Sequence, residues 1–138
     1  MKLVIEADGG SRGNPGPAGY GTVVYDAESG QVLVERSEGI GVTTNNVAEY
    51  QGLLAGLRAA LELGGCSAEV EVRMDSKLVV EQMSGRWKVK HPAMRSLALE
   101  AARLIRQLGA VRFTWVPRER NKRADRLANI AMDAQAAR

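Results

Sequence analysis

An α/β fold built on a five-stranded mixed sheet flanked by helices is the architecture this sequence predicts, and three observations lead to it. Three β-prone segments follow one another at the amino terminus before any helical periodicity begins. Beyond residue 43, strands alternate with helical segments, so that the whole order is β-β-β-α-β-α-α-β-α. Strands joined by short turns pair antiparallel, whereas strands separated by a helix pair in parallel through a crossover, and both kinds of connection are present. A chain of 138 residues suits one domain, residues 1–138, with a real core and is short for two.

The elements follow in order. Residues 2–7 alternate and are rich in β-formers, and the run from Asp8 through Gly9, Gly10, Ser11, Arg12, Gly13, Asn14, Pro15, Gly16 and Pro17 then reads as a loop. Residues 20–25 and 31–38 form two further strands around a connection of hairpin length that ends in Gly30. Thr43, Thr44, Asn45 and Asn46 offer capping side chains, and Val47, Tyr50, Leu54, Leu57 and Leu61 recur at helical spacing until Gly64 and Gly65 end the run. Residues 69–74 alternate as a fourth strand; Asp75 and Ser76 can cap a short helix over 77–83. Pro92 opens a longer helix whose buried side is Leu97, Leu104, Ile105 and Leu108. Residues 111–116 are the fifth strand, with Trp115 expected in the core. Asn121 can cap a last helix with a stripe of Ala124, Leu127, Ala128 and Ala131.

Composition narrows the function classes. A hydrophobic fraction of 45% and a charged fraction of 25% are those of a globular protein, and no apolar run approaches bilayer length. Lys2 and Glu6 interrupt the first apolar stretch, which argues against a signal or transit peptide, so a cytoplasmic location and no membrane partner are expected. The single cysteine, Cys66, cannot form an internal disulfide or a cysteine metal knuckle. The net charge of +3 conceals an asymmetry. Residues 1–85 carry 6 Lys+Arg against 12 Asp+Glu, while residues 86–126 carry 12 against 3. An acidic part that could hold cations beside a basic part that could hold polyanions points to metal-dependent work on a nucleic acid.

Four acids are candidates for that work. Asp8 ends the first strand and Asp75 the fourth, and the carboxyl ends of adjacent parallel strands mark the crevice where α/β sheets bind ligands. Glu49 falls in the first turns of the first long helix and Asp125 in the first turn of the last. Each has an ordinary reading: a turn residue, a solvated helix residue, a cap, a complement to a helix dipole. Brought together, four carboxylates require cations to neutralise them. Oxygen ligands without Cys or His favour Mg²⁺ or Mn²⁺, and two such ions about 3.5–4 Å apart can drive an in-line phosphoryl displacement. Phosphodiester hydrolysis is the implied chemistry.

The blocks Asp8-Gly9-Gly10-Ser11-Arg12-Gly13-Asn14-Pro15-Gly16-Pro17-Ala18-Gly19-Tyr20-Gly21, Thr44-Asn45-Asn46-Val47-Ala48-Glu49, Met74-Asp75-Ser76 and Ala124-Asp125-Arg126-Leu127-Ala128 together closely resemble the type 1 ribonuclease H family. They occur in that order over almost the whole chain. The resemblance implies a ribonuclease H-like fold and an endoribonuclease that cuts the RNA strand of RNA–DNA hybrids, leaving 5′-phosphate and 3′-hydroxyl ends. It implies two Mg²⁺ ions, with Mn²⁺ as a substitute: Asp8 would bridge them, Glu49 and Asp75 would hold one, and Asp125 the other. The loop carrying Gly10, Ser11 and Asn14, together with Glu49, would meet RNA 2′-hydroxyls, the groups that distinguish RNA from DNA. Thr44 and Asn46 would meet the DNA strand, in keeping with the anion affinity of a helix start.

The sequence departs from the family pattern in two places. Many members carry a histidine in the loop before the last acid, whereas this chain has Pro117-Arg118-Glu119-Arg120-Asn121-Lys122-Arg123, as in short archaeal-type members, so Arg118 or Glu119 is the auxiliary candidate. His91, the only histidine, reads as incidental. The second departure is the lack of the extra basic helix of longer members; only Arg86-Trp87-Lys88-Val89-Lys90 stands there. Trp87 either flanks a nucleic-acid backbone or anchors packing, and Arg118 beside Asp125 suits phosphate. Short members also resemble the amino-terminal half of proteins that join ribonuclease H to a histidine phosphatase, and the alanine-rich 134–138 end would suit such a junction. Two competing readings remain: a non-catalytic module binding hybrid or double-stranded RNA, and a DNA-directed nuclease of the same fold such as a junction resolvase or integrase core. Four intact acids argue against the first, and the glycine loop and Thr44-Asn45-Asn46 against the second.

Overall fold

A computed structural model describes residues 1–138. Its strands are β1 (Lys2–Ser11), β2 (Gly16–Asp26), β3 (Val32–Thr43), β4 (Glu69–Met74) and β5 (Ala110–Trp115), and its helices α1 (Asn45–Gly64), α2 (Lys77–Met83), α3 (Pro92–Gln107) and α4 (Lys122–Ala136). The five strands form one sheet in the order β3-β2-β1-β4-β5. The β1–β2 and β2–β3 pairs are antiparallel; β1–β4 and β4–β5 are parallel. The mixed sheet and the order of elements are those expected from the chain's periodicities.

Alternation along the strands divides the core into two faces. Leu3, Ile5 and Ala7 of β1 and Val70, Val72 and Met74 of β4 pack with Tyr50, Leu53, Leu54 and Leu57 of α1. The intervening Val4, with Val23 and Tyr25, meets Leu127 of α4 on the opposite face. Helix α3 packs on α1 rather than on the sheet, which leaves Leu97, Leu104 and Ile105 only half-buried and Ala101 as its one buried residue. An Arg58–Glu100 ion pair joins those two helices.

Three local expectations are corrected. Gly9, Gly10 and Ser11, read as part of a loop, continue β1 and pair with Tyr20, Gly19 and Ala18 of β2. Strands β2 and β3 are correspondingly longer than expected, starting at Gly16 and ending at Thr43. Turn-forming residues adopt extended structure here because tertiary contact favours it. A Cβ on Gly9 would lie 2.3 Å from the Ala48 carbonyl carbon, and one on Gly19 would lie 2.6 Å from the Ala131 Cβ, so both positions require glycine to let a helix approach. Trp115, expected in the core, is 48% exposed because β5 is an edge strand. Asn121 does stand at the N-cap of α4, but its side chain makes no capping hydrogen bond.

The pairing pattern also creates an overhang. The β1–β4 ladder ends at Glu6 opposite Arg73, whereas β1 runs on to Ser11 alongside β2 alone. Asp8 therefore lies on β1 past its last β4 partner, with Asp75 immediately after the end of β4.

Candidate active site

Asp8, Glu49, Asp75 and Asp125 line one polar cleft of about 440 Å³ at this carboxyl end of the parallel strands. Each is delivered by a different element: the β1 overhang, the first turns of α1, the residue after β4, and the first turn of α4. Thr44 caps α1 by accepting from the Val47 amide at 3.4 Å, and Ser76 caps α2 by accepting from Val79 at 3.3 Å, which fixes the approach of the Glu49 and Asp75 segments. Helix α4 is seated by its small residues Ala124, Ala128 and Ala131 on glycines 19 and 21 of β2. No three of the acids close into a ready-made cage; they border an open cleft.

Their electrostatics follow from crowding. Burial is the largest influence on Asp8 and pushes its pKa up to about 8, reinforced by the charge of Asp75 and by a hydrogen bond with Asp125, against the opposing donation of the Gly9 amide. Burial likewise pushes Glu49 up to about 7, with Asp75 adding to it and the Ser76 hydroxyl opposing. The Asn121 amide donates to Asp75 Oδ1 at 2.9 Å, the Trp115 indole donates to the Asp75 carbonyl at 3.2 Å, and Arg118 stands 3.5 Å from Asp125 Oδ1. A donor set of four carboxylates with no Cys or His among the cleft residues, two of them held above their ordinary range by mutual proximity and burial, fits hard divalent cations.

The other residues singled out from sequence divide into two groups. Gly10, Ser11, Asn46 and Arg118 line the cleft. Asn14 and Thr44 do not; the Asn14 side chain accepts from the Asn45 amide at 3.0 Å, and Thr44 is the α1 cap. Trp87 is 45% exposed in the segment between α2 and α3, and Glu119 is exposed on the single turn Arg118–Arg120. His91 accepts from the Ala93 amide at the start of α3, a structural role.

Asn129 in the cleft escapes sequence reasoning, and Arg12 and Asn45, marked there only as parts of the glycine loop and the α1 start, gain specific partners. Arg12 joins the β1–β2 loop to α4 through Asn129 at 3.0 Å and Asp133 at 2.6 Å, and Asn129 in turn donates to the Asp125 carbonyl. Asn45 accepts from the Ser11 amide at 2.8 Å, tying the overhang to α1. The Arg12 and Asn45 contacts are invisible to local reading, since those partners lie 34 to 121 positions away. A second concavity of about 310 Å³, at the amino ends of β1, β4 and β5, has no comparable set of free acids. Its Glu71 is already paired with Arg73 at 2.9 Å and Thr114 at 2.8 Å.

A mixed sheet in this strand order, with acids at the ends of its two central parallel strands and at the starts of the two helices on opposite faces, defines a ribonuclease H-like protein. Residues 6–131 match the family described as reverse transcriptase-like. The bifunctional protein Rv2228c of Mycobacterium tuberculosis is 62% identical over 136 residues, covering 99% of this chain and 37% of that protein. The solved amino-terminal ribonuclease H domain of Rv2228c superposes with a TM-score of 0.95 at 61% identity, covering 99% of this chain and 97% of that one. Ribonuclease H1 of Halobacterium salinarum, at 40% identity, gives a TM-score of 0.90 over 97% of this chain and 99% of its own. LC11-RNase H1, solved in complex with an RNA/DNA hybrid, gives 0.90 at 46% identity over 96% and 97%. The chain belongs to the type 1 ribonuclease H family. It spans little more than a third of the length of the Rv2228c protein.

Proposed function

We propose that this chain is a metal-dependent endonuclease that hydrolyses the RNA strand of RNA–DNA hybrids. The observation that carries the reading is the convergence of Asp8, Glu49, Asp75 and Asp125 on one open cleft at the end of the parallel strands. The likeness to a ribonuclease H1 held on a hybrid supports the choice of substrate. Water attacks the phosphorus in line, the bond to the 3′ oxygen breaks, and the products carry a 5′-phosphate and a 3′-hydroxyl.

Asp8 would hold the ions from the centre of the set, as its interactions with both Asp75 and Asp125 suggest. Glu49 and Asp75 form one pole of the site and Asp125 the other. Two divalent ions, Mg²⁺ with Mn²⁺ as a substitute, supply when bound the charge neutralisation and Lewis acidity for both the attacking water and the leaving oxygen. Gly10, Ser11 and Glu49 meet the 2′-hydroxyls that mark the RNA strand. The Asn14 amide hydrogens belong with Gly10 and Ser11 on the RNA strand, while Asn46 faces the DNA strand, where the Thr44 hydroxyl hydrogen supplies a further donor. Arg118 carries positive charge to the departing phosphate end, with Glu119 beside it, and Trp87 extends the contact along the duplex with its basic neighbours.

Double-stranded RNA shares the 2′-hydroxyl signature and is a second duplex for the same cleft. A cytoplasmic site of action suits the exposed free thiol of Cys66. The bifunctional name of Rv2228c supports a further domain, a phosphatase by family resemblance, in a longer chain of this type.

The deciding experiment offers one end-labelled sequence as RNA–DNA hybrid, RNA duplex, DNA duplex and single-stranded RNA, with Mg²⁺, Mn²⁺ or EDTA, to the intact chain and to Asp8→Asn. Metal-dependent cutting of hybrid RNA that the substitution abolishes is the expected result. Hybrid binding without cutting under every metal would instead identify a non-catalytic module.

A further inference from the structure

We infer that Asn121 is a positioning residue for the metal site: its amide sets the orientation of Asp75 and thereby the affinity of the cleft for divalent ions. The inference rests on the metal-dependent reading of the cleft and adds a residue to it. Asn121 is completely buried. Its Nδ2 donates to Asp75 Oδ1 and to the Ala7 carbonyl, both at 2.9 Å. Ala7 lies just past the last β1–β4 pair and directly before Asp8, so the amide occupies the place where β1 loses its neighbour. Asn121 itself begins the helix that carries Asp125. One NH₂ group thus ties together the segments bearing three of the four acids.

Two further observations distinguish this arrangement from ordinary packing. Asparagine at an N-cap usually accepts a hydrogen bond from the first turn of its helix, and here that bond is not made. The Oδ1 that would have made it is buried and has no partner. A buried acceptor without a donor is unfavourable, and such exceptions concentrate where function sets the geometry. The orientation of the amide is fixed by chemistry, since both neighbours of Nδ2 are acceptors and only the donor end can face them. Asp75 is then held from two directions, by Asn121 at the carboxylate and by the Trp115 indole at the main chain. With one Asp75 oxygen engaged by the amide, the other remains available to a cation in the cleft that Asp75 lines. Such outer hydrogen bonds to a ligand carboxylate typically change metal affinity by about 10- to 100-fold.

The test replaces Asn121 by Ser, which can cap α4 but is too short to reach both Asp75 and Ala7. The readouts are Mn²⁺ affinity by calorimetry, thermal stability in EDTA, and the Mg²⁺ dependence of hybrid cleavage. We expect Asn121→Ser to weaken Mn²⁺ binding by roughly tenfold or more and to raise the Mg²⁺ concentration for half-maximal cleavage in parallel, with the protein still folded. Mn²⁺ affinity within twofold of the parent in the folded variant would overturn the inference. If Ser proves unfolded, Asn121→Gln, which keeps the amide but displaces it by one methylene from Asp75 and Ala7, provides a second comparison at the same pH, with Mn²⁺ affinity expected to fall likewise. Asp75→Asn run in parallel separates the two levels. Unchanged metal affinity in Asp75→Asn would remove the metal-site reading itself, whereas loss there with none in Asn121→Ser would remove only the role of Asn121.

Discussion

Ala128 of α4 lies directly over Gly21 of β2: a Cβ on Gly21 would stand 2.5 Å from the Ala128 amide nitrogen and 2.3 Å from the Ala124 carbonyl oxygen. Both obstacles are helix backbone, which cannot rotate away. Gly21→Ala should therefore lift the helix that carries Asp125, costing about 1–3 kcal/mol by overpacking and lowering hybrid cleavage even at temperatures where the variant is folded. Denaturant unfolding and cleavage assays on the same preparation check this. Native stability in the variant would show that α4 is seated more loosely than the structure indicates.

The raised pKa values make the metal-free site a destabilising element at neutral pH. Asp8 at about 8 and Glu49 at about 7 both lie above their unfolded values near 3.8 and 4.5. The folded state therefore holds these protons more tightly than the unfolded state, and their stabilising contribution is lost as pH rises through 7 and 8. In EDTA the melting temperature should fall between pH 5 and pH 9, and saturating Mg²⁺ should flatten the decline. Below pH 5 the sign reverses for Glu71, which Thr114, Arg73 and Arg112 hold below its ordinary range against the opposing effect of burial, so the window must stay above it. A melting temperature that climbs from pH 5 to pH 9 without metal would contradict the crowding described here.

Function and stability should separate at Asp8. Asp8→Asn removes the central charge and should reduce cleavage by roughly 10³-fold or more, since it deletes several kcal/mol of transition-state stabilisation. The same change should raise the stability of the metal-free protein above pH 8 by a few kcal/mol at most, because the neutral amide avoids burying a charge and no longer repels Asp75 and Asp125. Thermal melts in EDTA and single-turnover cleavage in Mg²⁺ give the two halves of this comparison.

Arg118 is largely solvent-exposed, so its substitution should change stability by no more than about 0.5 kcal/mol. Its place 3.5 Å from Asp125 nevertheless gives it access to the reaction. The double change Arg118→Ala with Glu119→Ala should slow multiple-turnover cleavage about tenfold while leaving melting unchanged. Unaltered turnover would assign the auxiliary role elsewhere.

If the segment around Trp87 meets the duplex, hybrid affinity will depend steeply on salt. Replacing Lys88 and Lys90 by Ala should reduce the slope of log affinity against log salt by about 2. A slope identical to that of the parent would place the duplex away from this segment.

The sequence alone carried the element order, the alternation along residues 2–7, and the four acids at element ends. These are short-range properties: a period of two or 3.6 residues and a cap or glycine nearby are visible within a dozen positions. The expectations that needed correction involve longer range. Gly9 and Gly10 carry a local turn signature, yet they extend a strand because α1 and α4 press close on either side and β2 supplies pairing partners. Trp115 is apolar and lies in an apolar strand, yet it is exposed because it ends an edge strand, past Val111 and Phe113, which pack against the core.

Asn121 shows the division most clearly. Asparagine before a helix explains itself as a cap, and that local reading hides its use. Its partners, Ala7 and Asp75, lie 114 and 46 residues away, and they reach it only once β1, β4 and α4 have assembled. Periodicity and capping chemistry determined which elements form and which of them carry acids. Register, strand overhang and helix seating, set by close packing between distant segments, decided which polar groups surround those acids.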